Sequence, residues 1–150
     1  MGPVKYIDVD GGVGRVSRIG LGTWQFGSRE WGGYGDDYAS GPAREIVQRS
    51  LALGVTLFDT AEVYEFGKSE RILGEALGEQ RAKVAVASKV FPVAPRSRRW
   101  SSSAPGPARS GWACRESPLY QVHQANPVVP DSVIMPGCVT CSTPASSARR

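Results

Sequence analysis

The chain has 150 residues, with 18 Lys+Arg against 14 Asp+Glu and a formal net charge of +4. That length suits one ordinary domain, and 41% hydrophobic residues suffice to bury a core, which excludes a wholly disordered chain. No stretch reaches the roughly 18–20 uninterrupted apolar residues of a membrane helix. The opening Met1-Gly2-Pro3-Val4-Lys5-Tyr6 has neither an apolar signal region nor the Ser/Thr at position 6 of a myristoylation site. A cytoplasmic protein without membrane contact is expected.

Val4 to Val9 alternates and is rich in strand formers, Asp10-Gly11-Gly12 is a turn signal, and Val13 to Arg18 returns as a second strand. Arg18 to Trp24 reads as a buried strand that opens into a glycine-rich loop, Gln25 to Ser40, carrying Phe26, Trp31, Tyr34 and Tyr38. Such a loop is more typical of binding than of plain connection. The pattern turns helical from Pro42 to Leu53: Pro42 suits the first turn, Ala43, Ile46, Val47, Ser50 and Leu51 share a face, and Gly54 fits the stop. Val55 to Phe58 reads as a strand buried on both faces and ending at Asp59. A second helix starts at Gly67 or Ser69, turns Ile72, Leu73, Ala76 and Leu77 inward, and closes at Gly78. Lys83 to Val90 is a further apolar strand. Strand, helix, strand, helix, strand predicts an α/β fold with a parallel sheet and helical crossovers.

After Pro95 the grammar changes. Residues 1–95 carry a net charge of −1, whereas residues 96–150 carry +5, with seven Arg, no Lys, all three cysteines and seven of the 11 prolines. Residues 96–118 contain six Ser and five Arg and no Leu, Ile or Val, so no apolar helix face can be drawn where a third crossover is expected. Leu119 to His123 reads as a strand again, and from Pro136 the Ser/Ala/Arg character returns. The expected divisions are therefore 1–95, 96–118, 119–137 and a disordered tail at 138–150.

Asp59, Lys89 and His123 each close a predicted strand, and Tyr64 follows Asp59 in the next loop. In a parallel barrel or doubly wound sheet the C-terminal strand ends open on one face, where active sites lie. Taken singly, a strand-end Lys or Asp is ordinarily solvated, a loop Tyr packs and a lone His is structural. Four such residues at successive strand ends are not explained that way.

The motifs Gly20-Leu21-Gly22-Thr23-Trp24, Leu57-Phe58-Asp59-Thr60-Ala61-Glu62-Val63-Tyr64 and Gly67-Lys68-Ser69-Glu70-Arg71-Ile72-Leu73-Gly74-Glu75-Ala76-Leu77 resemble the aldo-keto reductases. Ser88-Lys89 and Tyr120 to Gln124 are similar to two later strand ends of that family. The Gly-Lys-Ser-Glu-Arg form looks closest to the branch holding bacterial oxidoreductases and potassium-channel β-subunits. The resemblance spans roughly residues 4–95 and 119–137. It implies part of a (β/α)₈ TIM barrel, namely a hairpin and about four strands, and reduction of small aldehydes or ketones with NADPH.

Carried over residue by residue, the resemblance makes Tyr64 the general acid that protonates the carbonyl oxygen. A tyrosine hydroxyl is a weak acid at neutral pH, and the role implied for Lys89 is to stabilise the tyrosinate with its ammonium. Asp59 then holds Lys89 charged and oriented, and His123 donates a hydrogen bond to the substrate oxygen. Gly22, Thr23, Trp24 and Asp59 are implied to lie beside the nicotinamide. The family's later strands, which carry its amide anchor and its grip on the cofactor phosphates, have no counterpart in the 150 residues.

Correct spacing with the wrong residues across 96–118, followed by renewed family-like sequence, is what a temporary reading-frame shift leaves; a second shift after Gly137 accounts for the tail. The contrasting expectation is a non-catalytic fragment that at most binds a partner, including a second copy of itself, through open barrel edges. Other readings have less support. Arg96 to Trp100 is a short cluster better read as a solvated loop than as a nucleic-acid site. Cys114, Cys138 and Cys141 supply one C-x-x-C, too little for a zinc site, and fit free thiols. Gly12-Val13-Gly14 is followed by Ser17 where a dinucleotide-binding G-x-G-x-x-G needs glycine.

Overall fold

A computed structural model describes residues 4–28, 36–90, 119–124 and 130. It holds six strands: β1 (Tyr6–Val9), β2 (Gly14–Ser17), β3 (Gly20–Gly22), β4 (Leu57–Asp59), β5 (Ala85–Val90) and β6 (Leu119–Val122). Two α-helices, α1 (Asp36–Ala52) and α2 (Lys68–Leu77), form the crossovers from β3 to β4 and from β4 to β5. β1 and β2 are an antiparallel hairpin, and β3-β4-β5-β6 is a parallel sheet in chain order. Sequential parallel strands with helical crossovers are the repeating unit of a (β/α)₈ barrel, here as half of one.

The core lies between the helices and one face of the sheet. Side chains alternate across a strand, so Phe58 and Val86 meet the helices while Leu57, Asp59 and Lys89 belong to the other face. Phe26, Val47, Leu73, Ala76 and Leu77 close around Phe58 and Val86. Burying aliphatic and aromatic side chains this way contributes on the order of 1.5–3 kcal/mol each. β4 is thus buried on one face rather than on both: Phe58 is fully enclosed and its two neighbours only half so.

The hairpin seals the N-terminal end of the sheet. Ser17 and Thr56 exchange bonds, each backbone N–H donating to the other's hydroxyl at 2.9 Å. Tyr6 Oη donates to the Gly54 carbonyl at 2.9 Å. Gly54 ends α1 with φ of 88°; its N–H reaches Leu51 O at 2.9 Å while Val55 N–H reaches Ser50 O at 3.0 Å, a Schellman cap. A Cβ at residue 54 would stand 2.8 Å from Tyr6 Oη, so glycine is needed for space as well as for conformation.

Three boundaries depart from the sequence expectation. α1 begins at Asp36, so Pro42 lies inside the helix rather than in its first turn. Proline within a helix removes one N–H donor and crowds the preceding turn, and the strength of that signal masked the turns before it. Gly78–Lys83 forms a 3-10 helix, which delays β5 to Ala85. Tyr64–Gly67 forms a 3-10 turn in which Glu65 and Phe66 both have left-handed backbone, φ of 47° and 54°. Residues 96–118 and 138–150, with the three cysteines, Arg96 and Trp100, lie outside the described residues.

Candidate active site

The parallel register places the candidate side chains at one end. Gly22 pairs with Asp59, Asp59 with Ala87, and Lys89 with Gln121, two positions before His123. The strands therefore bring Asp59, Lys89 and His123 to the same edge although 64 positions separate the first from the last. Backbone bonds extend the register past β4: Thr60 N–H donates to Ala87 O at 2.9 Å and Glu62 N–H to Lys89 O at 3.2 Å. The chain then passes through Tyr64, whose N–H donates to Ala61 O at 3.1 Å, and bends at the left-handed pair Glu65-Phe66.

Lys89 is the hub. Its Nζ donates to Asp59 Oδ2 at 2.6 Å, to Thr60 O at 2.9 Å and to Tyr64 Oη at 3.3 Å. Nζ also lies 5.1 Å from the centroid of the Tyr64 ring. The Lys89 side chain is 16% exposed and that of Asp59 40%, so the ion pair is partly shielded and open on the carboxylate side. Three acceptors for one ammonium satisfy its three donors. His123 meets the Tyr64 ring edge-on, with centroids 5.5 Å apart and planes at 89°. Burial, and next the Lys89 ammonium, hold His123 below the usual histidine range, with Asp59 opposing. At neutral pH its imidazole is therefore the uncharged form, with one N–H to donate.

The other residues expected at the site divide. Trp24 is 57% exposed, and a Cβ at Gly22 would meet open space, so both leave room beside Asp59. Thr23 is fully buried; its hydroxyl and its N–H both donate to Asp59 O, at 3.1 and 2.9 Å.

Behind this edge lies a second polar cluster that the sequence reading did not single out. Ser69, in the first turn of α2, donates to Thr23 O at 2.7 Å and shares hydrogen bonds with the Thr23 hydroxyl at 2.9 Å and the Thr60 hydroxyl at 3.4 Å. The next residue, Glu70, is 3% exposed and accepts from Ser88 Oγ at 2.6 Å. Burial raises the Glu70 carboxyl above its usual range; the Ser88 bond opposes this and Glu62 adds to it. Among the described residues no helix is long and apolar enough to cross a membrane, and no group of three metal-ligating side chains converges.

Comparison with known proteins agrees with this architecture. The model of the Aldo/keto reductase family matches residues 18–113. An "uncharacterized oxidoreductase" of Mycobacterium tuberculosis is 68% identical over 134 residues, covering 89% of this chain and 41% of that protein. A solved aldo-keto reductase of Klebsiella pneumoniae in complex with NADPH is 25% identical, with a TM-score of 0.56 over 89% of this chain and 44% of that one. An aldo-keto reductase of Bacillus halodurans in its holo form shares the fold at 24% identity, with a TM-score of 0.58 over 89% and 45% of the two chains. The chain thus spans about two-fifths of the length of the curated relative it matches.

Proposed function

The chain belongs to the aldo/keto reductase family, and on that premise we propose that its strand-end cluster is the proton-donating half of a carbonyl reductase site using NADPH. The observation that carries the reading is the single ammonium of Lys89, within hydrogen-bond distance of both Asp59 and Tyr64.

The chemistry follows from that arrangement. A carbonyl oxygen gains negative charge as it is reduced and needs a proton. Tyr64 Oη donates it, and the tyrosinate left behind lies 3.3 Å from a positive charge. Asp59 and the Thr60 carbonyl keep that ammonium charged and aimed. His123, held neutral, donates an N–H to the same substrate oxygen and fixes its direction. The nicotinamide, when bound, supplies the hydride. Gly22, Trp24 and the open side of Asp59 fit a planar ring at this edge: a missing side chain, an apolar wall and a polar rim. Thr23 serves the site by shape and by holding Asp59, since its hydroxyl and N–H are bonded within the protein.

The test is consumption of NADPH, followed by its absorbance, when the purified chain is given a panel of small aldehydes and ketones. Turnover that saturates in both carbonyl and NADPH supports the reading. No turnover, with NADPH binding only at millimolar level or not at all, overturns it in favour of the non-catalytic alternative.

A further inference from the structure

Glu70 in the second polar cluster is not explained by burial energetics. A carboxyl 3% exposed is costly to enclose, and an apolar chain of the same length fills that space more cheaply. Glu70 accepts a hydrogen bond from Ser88, the residue immediately before Lys89. Adjacent residues in a strand face opposite sides, so Ser88 turns towards α2 and Lys89 towards Asp59 and Tyr64. The 2.6 Å bond on one side and the ammonium on the other are therefore carried by adjacent residues of one strand. Ser69, one residue earlier, ties the same helical turn to Thr23 after β3 and to Thr60 after β4. The first turn of α2 thus grips three successive strand ends.

We propose that Glu70, acting through Ser88, is a positioning residue for the Lys89 ammonium, with Ser69 completing a clamp on the neighbouring strand ends. The lysine stem has four flexible carbons, so its Nζ is held only if its backbone is. A misplacement of about 1 Å at such a centre costs roughly 10²-fold in rate. The consequence for turnover rests on the proposed reduction, whereas the geometric claim is read from the ammonium itself.

The experiment is ¹⁵N–¹H NMR of the lysine ammonium groups in the full chain, since only an ordered, hydrogen-bonded ammonium exchanges slowly enough to give a signal; Lys89→Met assigns it. Glu70→Met replaces the carboxyl by an apolar chain of similar length. It is expected to fold, with a thermal midpoint below that of the parent because the buried Ser88 hydroxyl loses its acceptor, and to lose the Lys89 signal. Ser88→Ala is expected to lose it too. Glu70→Gln keeps an oxygen that accepts from Ser88 and is expected to retain it. A folded Glu70→Met that keeps the signal, a Glu70→Gln that loses it, or a parent chain without one overturns the proposal. Absent NADPH turnover alongside the expected signal pattern overturns the reductase reading and leaves the clamp standing.

Discussion

On one face of the strand ends, Asp59 and Lys89 meet Tyr64 at an edge still partly open to water. On the other, Thr60 and Ser88 meet Ser69 and Glu70 in a cluster with almost no exposure. The two sets differ by a single residue step along β5, yet different physics governs them. A half-exposed ion pair adds little to stability, typically below about 1 kcal/mol, and remains free to respond to a ligand. A buried polar group left without its partner costs about 1–3 kcal/mol, so the inner cluster permits only one arrangement. The order needed at the outer edge comes from the rigidity of the inner one.

This contrast breaks most severely if the shared core is removed. Phe58→Ala takes out the fully buried ring between the sheet and both helices and is expected to cost about 3–5 kcal/mol, read by chemical denaturation. A loss below about 1 kcal/mol would mean that Phe58 does not hold the two faces together. Lys89→Met separates the faces in the opposite sense. It is expected to lower turnover by about 10²–10³-fold, as for loss of one preorganised electrostatic donor. Stability should move by less than about 1 kcal/mol, because the Asp59 carboxylate left behind is 40% exposed. Equal losses of fold and activity would contradict the division.

Smaller effects come from the two titrating groups. Glu70 has a raised folded-state value, so its contribution to stability is complete below its ordinary 4.5 and is lost as pH rises through that raised value. Glu70→Gln does not titrate, and its thermal midpoint should rise relative to the parent between pH 4 and pH 8; a constant difference would place the carboxyl in water. His123 has a lowered value. Its contribution is present above its ordinary 6.5 and is lost as pH falls through the lowered one. His123→Gln should therefore melt with a flatter pH dependence between pH 7 and pH 5, the smallest of these effects.

Much of the outer edge was legible in the sequence. Strand-length apolar runs ending in Asp59, Lys89 and His123, separated by helical periodicity, imply a parallel sheet, and a parallel sheet brings its strand ends together. The parallel order β3-β4-β5-β6 is as expected. The inner cluster was less legible. A Glu in a first helical turn reads as solvated or as helix-dipole stabilisation, and nothing local reveals that it is turned inward. The bend after Tyr64 was invisible for a related reason: left-handed backbone is signalled by Gly or Asn, whereas here it falls on Glu65 and on Phe66, itself 81% exposed. Pro42 misled because it is a good opener of helices and α1 nevertheless runs through it.

The central claim is that Tyr64 delivers a proton under the control of Lys89. It is tested most directly by comparing NADPH-dependent carbonyl turnover of the parent chain with that of Tyr64→Phe, which removes one oxygen and leaves the ring beside His123. A fall of about 10²–10⁴-fold, the usual worth of a positioned general acid, with an unchanged thermal midpoint, is the predicted result. Equal turnover by the two chains would contradict it.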